Sequence, residues 1–163
     1  MIRILFVTAI LFSSAGAHAR ICDLFSPFPQ DPFSGIQFRE NHALDGPAQA
    51  WSSAGIIEFN PRELEKIPKH VRDFIMLHEA AHILLLHGRR VTAAGNTKEA
   101  MKAAELEADS WAACVWPARW RNAKRLAEDV YQEVRGHGTS ERHPASRTRL
   151  QNIKRVIEEQ LSR

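Results

Sequence analysis

Long apolar runs are missing from this chain, and cysteine is scarce. The first apolar stretch, 4–12, is far shorter than the roughly 20 residues a membrane-spanning helix needs, and the later one, 83–86, is closed in by His82 and His87. The mature chain is therefore expected to hold no transmembrane segment. No internal repeat or low-complexity block is visible, and the formal charge of +3 is small. The densest basic cluster, 119–125, is interrupted by Trp120, Asn122 and Ala123, which reads as a solvated helix face rather than a nucleic-acid surface. Only two cysteines occur, Cys22 and Cys114, whereas a purely structural zinc usually takes four protein ligands, often thiolates.

What remains is an ordinary globular composition, 44% hydrophobic and 25% charged, over 163 residues, enough for one compact domain. The N-terminus carries its own pattern. Arg3 precedes the apolar run 4–12, and Ala17-His18-Ala19 offers a small-x-small cleavage site. Residues 1–19 read as a signal peptide, with Arg20 the mature start and a periplasmic or extracellular destination. Cys22 does not sit at a lipobox-like site. In an oxidising compartment Cys22 and Cys114 could pair, or could be two separate buried thiols; spacing alone leaves both open.

Residues 20–50, rich in Pro, Gly and Asp, read as irregular chain with one short strand near 36–38. The domain proper is expected over 51–163. Residues 51–59 read as a strand stopped by Asn60-Pro61, an N-cap followed by proline at the first helical position. A short helix over 62–67 ends at Pro68. Apolar residues at helical spacing predict a second helix over 69–87, closed by Gly88. Asn96 with Glu99 three positions on suggests a capping box for an alanine-rich helix over 97–116. Pro117 begins another over 117–134, the loop Gly136-His137-Gly138 leads to His143-Pro144, and a final helix ends the chain. The sum is an α+β domain, mainly helical, with a small sheet.

His78-Glu79-Ala80-Ala81-His82 is an H-E-x-x-H motif inside one of these helices. Four residues is slightly more than one turn, so both imidazoles leave the same face and can meet one ion. Glu79 can then reach a water on that ion without ligating it. Two core histidines beside a glutamate would be costly to bury unpaired. A di-iron E-x-x-H pair would need a second copy, which the sequence lacks. A catalytic zinc takes three protein ligands and keeps one position open. Glu105 and Asp109, one turn apart, can supply the third ligand and an acceptor that orients a ligand histidine.

Together with Glu105-x-x-Ala108-Asp109-x-x-Ala112, and with His143-Pro144-Ala145-Ser146 followed by Arg149-Leu150, the motif resembles the HtpX-like and CAAX-prenyl-protease family of gluzincin peptidases. The likeness spans roughly residues 50–155, and the three motifs come in the family's order. It implies a zincin-like domain whose small sheet or edge strand packs on the active-site helix and the third-ligand helix. By it one zinc per chain is held by His78, His82 and Glu105, Asp109 orients a histidine, and Glu79 is the base. It also implies an edge strand at Gly55, Ile56 and Ile57 that could hold substrate, and His143 as donor to a developing oxyanion, or else simply a helix-start residue. Unlike the best-known members, the chain has no transmembrane helices and no tetratricopeptide repeats, and the stretch from His82 to Glu105 is short. The expected activity is zinc-dependent endopeptidase action on exported or envelope proteins. The rivals are a proteolytically silent zinc-binding interaction protein and a structural or metal-storage role, against which an intact Glu79 counts.

Overall fold

The computed structural model describes residues 21–115, 128–130, 132 and 146–161. The expected signal peptide, most of the helix expected over 117–134, and His143 lie outside these residues. Three short strands, β1 (Gln37–Glu40), β2 (Ala48–Trp51) and β3 (Ile56–Phe59), form one sheet in the order β1-β3-β2. β1 runs parallel to β3, with Gln37 opposite Ile56, and β2 runs antiparallel to it, with Trp51 opposite Ile56.

The strand expected over 51–59 is thus two strands of a hairpin. The chain reverses at 52–55, where the Ala54 N–H donates to the Trp51 carbonyl at 2.9 Å. Gly55 takes a φ of +67°, a left-handed conformation open to glycine because it has no Cβ. The short strand expected near 36–38 is present as β1, and beyond that expectation residues 21–50 hold a 3-10 turn (Ile21–Phe25) and most of β2. β1 is exposed at all four positions, so no apolar alternation marks it in the sequence. Its tie to β3 is polar, since Arg39 and Asn41 both donate to the buried Glu58 carboxylate.

Among the described residues the helices α1 (Pro61–Glu65), α2 (Lys69–Leu84), α3 (His87–Ala93), α4 (Lys98–Val115) and α5 (Ser146–Leu161) follow, and 128–130 are helical too. The architecture is α+β and mainly helical. α1 begins as expected, with the Asn60 side chain accepting from the Arg62 N–H at 3.1 Å and Pro61 in the first turn. α4 is capped by Thr97 rather than Asn96. The Thr97 hydroxyl accepts from the Ala100 N–H at 3.2 Å, while Asn96 sits left-handed at φ 54° in the preceding turn.

α2 carries two apolar faces. Val71, Phe74, Leu77 and Ala81 enter the main core with Ala108, Trp111 and Ala112 of α4 and Ile153, Val156 and Ile157 of α5. Ala80, with Met76 and Ile83 beside it, packs under Ile57 of the central strand. The buried alanines of α4 have no bulk beyond Cβ, which lets the neighbouring helices approach closely. Among the described residues no helix is long and apolar enough to cross a membrane.

Gly88 does not close α2. The helix stops at Leu85-Leu86, where Leu86 takes a left-handed φ of 56° and ψ of 36°, at a steric cost of roughly 1–2 kcal/mol. Gly88 lies within α3, where a Cβ would stand 3.2 Å from the Ser52 Cβ of the hairpin turn. Its role is close approach.

Cys22 and Cys114 form a disulfide, Cα to Cα 5.5 Å, which ties the 3-10 turn to the end of α4 across a separation of 92 residues. A loop of that length constrains the unfolded chain by about 4–5 kcal/mol in the chain-entropy model. Replacing both cysteines by serine should lower the denaturation free energy by up to that amount. Urea titration of the oxidised protein and the double variant checks it.

Candidate metal centre

α2 sets His78 and His82 one turn apart, and α4 brings Glu105 opposite them. The two Nε2 atoms face each other at 3.1 Å. Glu105 Oε2 lies 3.5 Å from His78 Nε2, and Glu105 Oε1 lies 3.4 Å from His82 Nε2. One ligand atom from each of the three residues falls within 4.8 Å of the others, and all three side chains are largely buried. This group can hold a metal ion. Among the described residues the group offers two imidazole nitrogens and one carboxylate oxygen, and no thiolate.

The far sides of the rings are also engaged. His78 Nδ1 lies 3.0 Å from Asp109 Oδ1, at hydrogen-bond distance though away from ideal alignment. Asp109 is fully buried, and Arg149 of α5 grips both of its oxygens, Nε to Oδ2 at 2.7 Å and Nη2 to Oδ1 at 2.6 Å. Burial works against its charge, yet the Arg149 guanidinium holds the carboxyl below the usual carboxylate range. On the other ring, His82 Nδ1 meets His87 Nδ1 at 3.0 Å, and His87 Nε2 reaches Glu107 Oε2 at 3.3 Å. Arg90 Nη1 stands 2.8 Å from the same Glu107 oxygen.

The site favours positive charge at one point. Burial opposes a charged His78, but Asp109 and Glu105 outweigh it and push the ring up to about 10. At His82 burial prevails, helped by repulsion from His78, and the ring falls to about 3 and stays neutral. A pocket that keeps a cation beside Glu105 and Asp109 suits a metal ion in the same place. Glu79 is not one of the three grouped residues. One of its oxygens, Oε2, accepts from the Ala50 N–H of β2 at 2.6 Å. Burial pushes its carboxyl up to about 7, against the nearby His78 charge, which works to lower it.

Of the expected site residues, His78, Glu79, His82, Glu105 and Asp109 come together; His143 lies outside the described residues. The edge-strand reading of Gly55, Ile56 and Ile57 is corrected. Gly55 is in the hairpin turn, and Ile56 and Ile57 belong to the central strand, paired on both sides, so no further strand can add there. Reasoning from sequence also passed over His87 and Glu107, because a continuous helix would have carried His87 away from His82. Arg149 had been noted only within a motif. Comparison with protein-family models, curated proteins and solved structures finds no match.

Two outcomes are expected. The wild-type chain should bind one zinc, and Glu105→Gln, which keeps the shape but loses the anionic oxygen, should release it at least tenfold more readily in a chelator competition; an unchanged affinity removes Glu105 from the ligand set. Arg149→Ala leaves Asp109 buried without its partner and should cost about 3–5 kcal/mol, read by chemical denaturation of the metal-free protein.

Proposed function

We propose that this chain is a zinc-dependent endopeptidase. The observation that carries this reading is the convergence of His78, His82 and Glu105 on one point, with the non-ligating Glu79 carboxylate buried beside it. When bound there, zinc supplies a water acidic enough to lose its proton near neutral pH and an electrophile for a carbonyl oxygen.

The remaining work falls to the chain's own residues. His78 and His82 each turn Nε2 inward, and Asp109 behind His78 fixes that ring's orientation. Glu79 is the base. The Ala50 N–H holds one of its oxygens, and a cation beside it favours the ionised form, ready to accept a proton and pass it to a leaving amine.

Substrate would lie along β2. This is an edge strand paired only with β3 among the described residues, and the Ala50 N–H points off its outer edge toward Glu79. An extended peptide added there would pass beside the base in mid-chain, which favours internal cleavage over trimming of ends. The order of the motifs resembles that of the HtpX-like and CAAX-prenyl-protease peptidases, which supports the same reading. The leader-like N-terminus, together with a disulfide of the kind that persists in oxidising compartments, supports exported or envelope proteins as targets.

The rival is a silent zinc-binding interaction protein, which has no need of a base at position 79. Casein cleavage by the zinc-loaded chain tests the difference. Glu79→Gln should lower the rate by about 10²–10⁴-fold with zinc content unchanged. No cleavage by the wild type would favour the rival, and equal cleavage by the variant would remove Glu79 as the base.

A further inference from the structure

Both ligand histidines are backed from behind, but by different chemistry. Behind His78 stands a carboxylate, Asp109, held by an arginine. Behind His82 stands another imidazole, His87, whose ring lies at 78° to that of His82 and whose side chain is almost completely buried. His87 is not among the grouped ligands, and its contact is with the outward nitrogen of His82.

The hydrogen-bond roles along this path follow from a single requirement. If His82 presents the Nε2 lone pair inward, its only proton is on Nδ1. That N–H faces His87 Nδ1, which must then accept and so carries no proton. The proton of a neutral His87 is left on Nε2, where Glu107 Oε2 accepts it at 3.3 Å. Glu107 is anchored in turn by Arg90 at 2.8 Å. Every donor meets an acceptor, and the path ends, as on the His78 side, in a carboxylate held by an arginine.

The backbone is shaped for this contact. Five residues along an unbroken α-helix amount to about 500°, which would set His87 about 140° around the axis from His82. The left-handed Leu86 ends α2 before that can happen and starts α3 at His87, turned back onto the His82 ring. A leucine in this conformation is strained, and such strain gathers where local geometry serves a site.

We propose that His87 is a positioning residue for the metal centre: through Glu107 and Arg90 it fixes the tautomer and orientation in which His82 offers Nε2 to a zinc ion. The proposal rests on reading His78, His82 and Glu105 as a zinc site. It needs no change in the protonation of any of these groups.

The test is zinc affinity, measured by competition with a chromophoric chelator, beside the melting temperature of the metal-free protein. His87→Leu fills much of the buried space but can neither accept from His82 nor donate to Glu107, and should weaken zinc binding by about 10–100-fold. His87→Gln can accept through its carbonyl and donate to Glu107 through its amide, and should stay within a few-fold of wild type. A purely structural His87 would lower the metal-free melting temperature in both variants and leave their zinc affinities alike. Should His87→Leu fail to fold, Glu107→Leu on the partly exposed end of the path is expected to lose affinity by several-fold. Wild-type affinity in His87→Leu, equal losses in the leucine and glutamine variants, or an unaffected Glu107→Leu would overturn the proposal. A wild-type chain that binds no zinc would instead overturn the metal-site reading beneath it.

Discussion

The buried pair of Asp109 and Arg149 is the interaction around which the helices and the site are organised. A carboxylate with no exposure at all is tolerable only where its charge is met directly, and the guanidinium fork does so with two parallel bonds. Because Asp109 belongs to α4 and Arg149 to α5, the pair fixes the facing of two helices that otherwise meet through side chains with little directional preference. Asp109 also faces His78 on α2, so α5, through Arg149, reaches the candidate metal group without itself belonging to it. Removing one member of such a pair is costly, because it leaves the other charge buried and uncompensated.

α2 is the element where that arrangement becomes a site. One of its faces is sunk among α4 and α5 and another lies under the central strand, so the H-E-x-x-H turn sits where the sheet and the helical core meet. Its histidines look toward α4, while Glu79 is bound by the backbone of β2. The three grouped residues and the Glu79 carboxylate are thereby held by different layers of the domain. The small side chains at Ala80, Ala81, Ala108 and Ala112, all fully buried, keep those layers close. Gly88 does the same for α3 and the hairpin turn, where even one methyl group would crowd Ser52.

Much of the site was legible in the chain because its parts are local. His78 and His82 are four apart and Glu105 and Asp109 four apart, so helical periodicity alone sets each pair on one face. Asn60-Pro61 announced the start of α1 for the same reason, since a side-chain cap and a fixed φ act within a few residues. The strands were harder. β1 was expected only approximately, near 36–38, because all four of its positions are exposed, and the break between β2 and β3 depends on Gly55 and three flanking residues that any loop could contain. Gly88 and Asn96 misled because each residue type ends or caps helices on average, whereas here one is needed for close packing and the other for a left-handed turn.

By itself, then, the sequence determined the mainly helical character, the two-histidine face with its glutamate, and the acidic face that answers it, all consequences of 3.6 residues per turn. Tertiary structure decided what depends on pairing across distance. It placed β3 at the centre of the sheet and β2 at its edge, because strand order is set by backbone hydrogen bonds that any residues can make. It joined Cys22 to Cys114, a bond that needs their Cα atoms brought within reach. And it turned His87 back onto His82, because core packing and the hairpin turn hold the chain reversed at Leu86 where local preference alone would let the helix run on.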